Sequence, residues 1–388
     1  GMGALRLALG IGPFCALLGA LTPRLVDHAS GGNADRAGRA YAINVLGCIV
    51  GPLLAGFVLL PRMSERWSLL TLSLPVFAIG IAVLQRMQRP RPARRVALAA
   101  VTLLAAGWLL WWPRDFATRF RNVAGRRDYA ATVLAVGKGM NRRLLVNGIG
   151  MTGLLPVTKM MAHLPLAHLD RPPRQALVIC FGMGSSFRSV RTWGVRATAV
   201  ELIPSVPELF PYFHDDAEQI LRTPDALVVV DDGRRFLERT QERYDMITID
   251  PPPPIEAAGS SLLYSVEFYH LVRARLQPGG ILQQWLPGAD LPTVASFSRA
   301  LRKSFPHVRA FPSVMKSGIH YLASAQPLPT LTAAEVAARL PPAAARDLVE
   351  WGPYAAAAEQ LTPVLSREIP LRQLVELAPR APALRAES

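Results

Sequence analysis

Four short apolar runs, each ending in polar or acidic residues, constrain the fold of this 388-residue chain more than any other feature. Ala176-Leu177-Val178-Ile179-Cys180-Phe181 is too short for a globular helix and ends in Gly182-Met183-Gly184-Ser185-Ser186. A buried parallel strand turning sharply into a helix has this form. The next strand candidate, Ala197 to Val200, ends at Glu201, and a third, Ala226 to Val230, ends at Asp231-Asp232-Gly233. A fourth, Tyr244 to Ile249, ends at Asp250 and runs into four prolines. Each run delivers polar groups to its carboxyl end, the edge of an open α/β sheet where ligands bind.

The first hundred residues have a different character. Leu5 to Leu21, Ala40 to Leu60, Ser68 to Leu84 and Val96 to Trp112 are apolar segments of 17 to 21 residues, close to the length that crosses hydrocarbon at about 1.5 Å per residue. Arginine-bearing loops separate them. In a soluble domain most of these helices would be apolar all round, so the pattern predicts a membrane bundle and a lipid bilayer as partner. Gly47, Gly51 and Gly56 would permit close helix packing. Five arginines between Gln85 and Arg95 argue that their loop is cytoplasmic, but Arg114, Arg119, Arg121, Arg126 and Arg127 form an equal cluster beyond the fourth segment. Whether 96–112 crosses therefore decides the side on which the soluble half lies.

Net charge is +15, from 43 basic and 28 acidic side chains. Membrane flanks and an arginine-rich composition account for it, and nothing interleaves basic and aromatic residues as nucleic-acid binding would require. Cys15, Cys48 and Cys180 each lie in an apolar run and read as reduced, buried fillers, with no disulfide or metal framework.

From Tyr129 the pattern becomes that of a soluble domain. Ala131 to Ala135 and Arg143 to Val146 flank a glycine turn and predict a β-hairpin. Thr158 to His168 reads as a helix stopped by Pro172-Pro173. After the proline run come a helix over 265–275, a strand over 281–285, a helix over 291–304 and two closing strands near 308–311 and 318–323. Leu331 to Leu340 and Pro342 to Ala358 read as surface helices, and Pro379 to Ser388 as a flexible tail.

The strand endings suggest an adenosine-containing cofactor. Gly182 and Gly184 would let the turn pass close to a ligand whose contacts include Met183 and Ser185. Glu201 is placed for ribose hydroxyls, and Asp232-Gly233 for the exocyclic amine of adenine. Asp250 would then lie nearest the reacting centre. A protonated amine has no lone pair, so an acid held beside it must take the proton before nitrogen can attack. Glu256 and Tyr264 are candidate substrate contacts, whereas His163 and His168 read as structural. No metal is expected.

Residues 129 to 325 resemble the spermidine synthase family of aminopropyltransferases, and Arg39 to Pro61 resembles helices of its membrane-fused bacterial branch. The resemblance rests on Leu145-Val146-Asn147-Gly148, Ala162-His163-Leu164-Pro165-Leu166, Asp232-Gly233-Arg234-Arg235-Phe236-Leu237, Tyr244 through Asp250, Phe268-Tyr269 and Gly279-Gly280. Asp250-Pro251-Pro252-Pro253-Pro254 and Gln284-Trp285-Leu286-Pro287 are like the fused members in particular. It implies a decarboxylated S-adenosylmethionine-type cofactor, Glu201 on its ribose, Asp232 near adenine, and Asp250 accepting a proton from an amine acceptor. It also implies a bacterial inner-membrane protein with its catalytic half in the cytoplasm. The fused members resemble longer proteins, so a second copy or a separate membrane chain completing the bundle is a further expectation.

Departures from the pattern leave alternatives open. Met183 stands where the soluble enzymes carry an aspartate, Val157 and Lys159 where they carry tyrosine and glutamate, and Met151 where a glutamine is usual. A methyltransferase using intact S-adenosylmethionine, with Ser185 or Ser186 receiving its carboxylate, is one alternative. A non-catalytic nucleotide-binding membrane protein is another. The expected architecture is an α-helical membrane bundle over 1–127, a small β-hairpin cap and connecting helix over 128–170, a Rossmann-like α/β transferase domain over 171–326, and C-terminal helices with a tail over 327–388.

Overall fold

The computed structural model describes residues 2–86, 92–111, 115–251, 261–315 and 318–386. The chain divides into two compact units, Gly1–Arg114 and Asp115–Ser388.

The first unit contains helices α1 (Met2–Ser30), α2 (Ala34–Arg62), α3 (Glu65–Arg86) and α4 (Pro92–Trp111). Asn33 starts α2, its side chain accepting the Arg36 N–H at 3.1 Å and so satisfying one of the unpaired donors of the first turn. Pro52 brings no amide hydrogen to the ladder, and a π-helical stretch over Leu54–Leu59 follows it. Only Ser30, Leu59 and Ser68 are buried among the described side chains of this unit. Its apolar residues, Ile43, Phe57, Ile79 and Leu103 among them, point outward.

Of the described helices only α2 is long and apolar enough to cross a membrane; the apolar part of α4, Ala99–Trp108, is shorter. Nothing lies within 4 Å of a Cβ built on Gly47, Gly51 or Gly56, so the expected close helix contact at these residues does not form within this chain. The cysteines are free as expected, but none is buried: Cys15 and Cys48 are exposed and Cys180 is half-buried.

The second unit opens with a four-stranded antiparallel sheet, β1 (Val123–Arg127), β2 (Thr132–Val136), β3 (Arg143–Val146) and β4 (Ile149–Gly153), in that order. The expected hairpin is its middle pair. A strand on each side enlarges it, and the boundary read at 127/128 falls at the end of β1. Helix α5 (Pro156–Ala167) leads into a seven-stranded sheet. In chain order the strands are β5 (Gln175–Ile179), β6 (Arg196–Glu201), β7 (Ala226–Val230), β8 (Tyr244–Ile249), β9 (Leu276–Leu286), β10 (His307–Pro312) and β11 (Ile319–Ser324). Their spatial order is β10-β11-β9-β8-β5-β6-β7. β5 pairs in parallel with both β6 and β8, and β11, antiparallel to its neighbours β9 and β10, is the one reversed strand of this sheet. The chain therefore changes direction across the sheet between β5 and β8. That switch point opens a crevice outside the strand ends.

Successive residues of β5 face opposite layers. Ala176 and Val178 pack with α5, α6 (Ser185–Arg191) and the C-terminal helices; Leu177 and Ile179 pack beneath the helices of the other face. On that other face lie α7 (Gly233–Arg239), α8 (Val266–Arg275) and α9 (Leu291–Ser304). Every residue of α5 is buried, including Lys159 and His163. Burying those two polar side chains is tolerated because Asp347 and Glu350 meet them. Lys159 Nζ donates to both carboxylates at 2.6 Å, while Asp347 also contacts His163 Nε2 at 2.8 Å and accepts from Ser189 Oγ at 2.6 Å. Arg188 Nη1 reaches the same two acids at 2.7 Å. Asp347 belongs to α10 (Pro342–Val349), with Glu350 just after it, so this network fastens the C-terminal region onto α5 and α6.

The stretch after Pro379 is not a loose tail. The Val266 N–H donates to the Leu384 carbonyl at 3.0 Å and the Ala386 N–H to Glu267 at 3.0 Å. Arg299 gathers the carbonyls of Val375, Ala378, Ala381 and Pro379. One guanidinium with five donors overrides the alanine- and proline-rich composition.

Burial pushes the Asp347 carboxyl up, but His163 and Lys159 hold it well below the usual carboxylate range. Its contribution is thus complete at neutral pH and is lost only as pH falls below the ordinary carboxylate value. Asp347→Ala would leave Lys159 and His163 buried without that partner. It should cost about 3–5 kcal/mol, read as a lowered midpoint in chemical denaturation of the full chain; a loss near zero would mean that the network clamps nothing.

Candidate active site

Glu201, at the tip of β6, organises the crevice. Its Oε2 accepts the N–H groups of Phe181 at 2.9 Å and Gly182 at 3.3 Å, and its Oε1 accepts Ile203 N–H at 3.1 Å. The Leu202 N–H is a fourth backbone donor acting on the same carboxyl. Burial raises the Glu201 carboxyl, opposed by those backbone donors.

The two glycines of the β5 turn do different work. Both have left-handed φ, +55° at Gly182 and +76° at Gly184. A Cβ on Gly182 would meet only the Thr152 methyl, at 3.9 Å, whereas one on Gly184 would lie 2.4 Å from the Phe210 ring. Gly182 is the open approach and Gly184 is a packing position. Met183 is 3% exposed and its side chain turns into the apolar layer with Phe181, Phe187 and Phe210, leaving only backbone for a ligand. Ser185 and Ser186 are engaged inside the protein, with His214 Nε2 at 3.3 Å and the Thr158 carbonyl at 3.0 Å.

Asp232 caps α7, its Oδ1 accepting the Arg235 N–H at 2.9 Å, and the residue remains exposed. A Cβ on the next residue, Gly233, would strike Ile179 at 2.4 Å, so this glycine too is fixed by packing. Asp250 follows β8, its N–H donating to the Ile179 carbonyl at 3.1 Å. It is half-buried, no described group hydrogen-bonds its carboxyl, and desolvation pushes it up to about 7.

The Cys180 backbone is left-handed at φ +71°, unusual for a residue with a Cβ. Burial, followed by the charges of Glu201, Asp250 and Asp232, raises its thiol well above the ordinary value. β6 and β8 flank β5, so Glu201, which accepts the Phe181 and Gly182 N–H groups, and Asp250, whose N–H donates to the Ile179 carbonyl, come from the strands on either side of the β5 tip, while Asp232 follows β7, the strand beyond β6. The sequence reading counted Cys180 as filler; no local pattern marked the left-handed turn.

Other candidates lie elsewhere. Tyr264 is 1% exposed and packs edge-on against Phe297 at 5.5 Å, enclosed in the apolar layer instead of walling an open pocket. Glu256 lies outside the described residues. His163 belongs to the Lys159 network, and His168 Nδ1 meets the Leu164 carbonyl at 2.8 Å. Lys159 and Val157, which stand where the resemblance expects acceptor-binding groups, are both buried. Among the described residues no three His, Cys, Asp or Glu side chains are grouped to hold a metal ion.

The fold is an open, mostly parallel α/β sheet with acidic residues at its strand ends. Residues 154–321 match the family described as "Spermine/spermidine synthase domain". Similar proteins include polyamine aminopropyltransferase 2 of Hyperthermus butylicus, 29% identical over half of this chain and 66% of that protein. Polyamine aminopropyltransferase 2 of Pseudomonas aeruginosa is 31% identical over 41% of this chain and 48% of its own length. The chain thus spans between about half and two thirds of these relatives. Spermidine synthase from Thermotoga maritima shares the fold, with a TM-score of 0.52 at 19% identity over 66% of this chain and 89% of that one. A spermidine synthase in complex with the transition-state analogue AdoDATO gives 0.54 at 18% identity, with the same coverage of both chains.

The glycine contrast is measurable. Gly184→Ala should destabilise by about 1–3 kcal/mol through overpacking, plus about 1–2 kcal/mol for the left-handed backbone. Gly182→Ala should carry only the backbone cost while weakening S-adenosyl ligand binding. Thermal unfolding paired with ligand titration checks this, and equal destabilisation by the two would contradict the assignment.

Proposed function

We propose that this chain transfers an aminopropyl group from a decarboxylated S-adenosylmethionine-type donor to an amine, with Asp250 accepting the amine's proton. The observation that supports the reading is the placement of Glu201, Asp232 and Asp250 at the carboxyl ends of β6, β7 and β8 around the β5 tip, with the Asp250 carboxyl alone lacking a hydrogen-bond partner among the described residues. The aminopropyltransferase names of the relatives support the same chemistry.

The residues fit such a donor. Glu201 stands at the β6 tip for the sugar hydroxyls, Asp232 keeps its second oxygen for an amine N–H, and Gly182 leaves an open approach. When bound, the donor supplies a carbon joined to a sulfonium. The C–N bond forms as the C–S bond breaks, and its electron pair leaves with a neutral thioether that needs no acid. Asp250 takes the proton lost by nitrogen. A carboxylate whose pKa is near the working pH balances basicity against the fraction ionised. Binding both reactants at one crevice supplies the orientation term.

Intact S-adenosylmethionine would add a carboxylate to be received. The Ser185 and Ser186 hydroxyls proposed for that task are committed elsewhere, which disfavours methyl transfer. Met183, Val157 and Lys159 offer no free anion for the far end of a diamine, so the acceptor is proposed as an amine and not as one particular diamine.

The first unit is proposed as membrane-inserted, carried by α2 and by apolar side chains that face outward on all its helices. On this reading the protein is integral to a bacterial inner membrane, with its catalytic half in the cytoplasm.

Only the ionised form of Asp250 can accept a proton, and its raised pKa means that this form prevails above about pH 7. kcat/KM should therefore fall by about tenfold per pH unit below that point. Asp250→Asn should lower activity by about 10²–10⁴-fold and abolish this limb. Formation of methylthioadenosine from the decarboxylated donor, followed by mass spectrometry, reads both; turnover of the intact cofactor alone would overturn aminopropyl transfer. For the first unit, the chain should stay with the membrane pellet in alkaline carbonate, and release into the supernatant would rule out insertion.

A further inference from the structure

A second cleft, of about 320 Å³, lies between the β2–β3 loop and the C-terminal helices. Met140 comes before the family match at 154–321, and Glu350 and Trp351 come after it. The cleft is therefore built partly from segments of this chain that the match does not cover.

Hydrogen-bond accounting shows what the cleft lacks. Arg188 Nε serves both oxygens of Asp216 at 2.9 Å, and its Nη1 serves Asp347 and Glu350 at 2.7 Å. Arg142 Nη1 donates to the Phe213 carbonyl at 2.8 Å. Two acceptors are left over: Asp215, exposed and without a partner among the described residues, and Oε1 of Glu350. His214 is 5% exposed, and its Nδ1 likewise has no partner among them. Counting the ion pairs behind it, four carboxylates (Asp215, Asp216, Asp347, Glu350) meet three cations (Arg142, Arg188, Lys159) about the cleft, one negative charge in excess. Trp351, stacked on His214 at 5.8 Å, forms an aromatic wall, with Phe213 and Met140 as apolar floor.

We propose that this cleft binds an organic ammonium ion, its charged head between Asp215 and Glu350 and its alkyl body along Trp351 and Met140. A cation against an aromatic face already occurs here, since Lys159 Nζ lies 3.9 Å from the Trp351 ring on the protein side. The cleft also touches the cofactor turn. His214 meets Ser185, the first residue of α6, and Phe210, four residues before His214, closes on Gly184. An amine bound here would bias the turn that faces the crevice, giving the chain a second amine site distinct from the one beside Asp250.

The test uses the full chain in detergent, with butylamine and 1,4-diaminobutane as probes, read by calorimetry and by tryptophan fluorescence. In the Asp250→Asn background an amine should still bind and change the fluorescence, and Trp351→Phe should remove that change. Asp215→Asn should weaken binding by about tenfold or more, the loss of a charged hydrogen-bond partner. Asp215 is exposed and unbonded, so this variant should melt with the parent. Amine binding unaffected by Asp215→Asn and Trp351→Phe would overturn the proposal, as would a cleft that answers to inorganic phosphate and not to amines. Neither result depends on whether aminopropyl transfer occurs.

Discussion

The crevice depends on the Glu201 carboxylate, which draws three backbone N–H groups toward itself from two segments of chain. Without an acceptor there, the turn after β5 would leave buried donors unpaired, at about 1–3 kcal/mol each. With it, Cys180 is held in a left-handed conformation that would otherwise be unfavourable, and Gly182 presents its open side to the switch point.

Asp250 is built on the opposite principle. Glu201 and Asp232 each accept backbone donors, whereas Asp250 is half-buried and receives none, so desolvation acts on it unopposed. Three acids at neighbouring strand tips thus have different electrostatics because their hydrogen-bond environments differ.

The C-terminal helices bring a second set of constraints. Asp347 and Glu350 neutralise a lysine buried in α5, and α5 packs directly beneath the sheet. The fold near the crevice consequently depends on residues roughly two hundred positions away. The amine cleft is a by-product of the same docking, since its aromatic wall and one of its acids come from the end of α10.

Strand order and acid placement were legible because each depends on local pattern. Apolar runs of five or six residues can only be strands, and an acid at a strand end stays at the sheet edge whatever packs around it. Hence β7 and β8 fall where the sequence puts them, and Glu201, Asp232 and Asp250 each stand at a strand end. Tertiary structure alone decided what the side chains around them face. It turned Met183 inward, enclosed Tyr264, assigned Gly184 to Phe210 and Gly182 to the crevice, and paired Lys159 with Asp347. Those outcomes depend on contacts between residues distant in the chain, and local periodicity carries no record of which distant partner arrives.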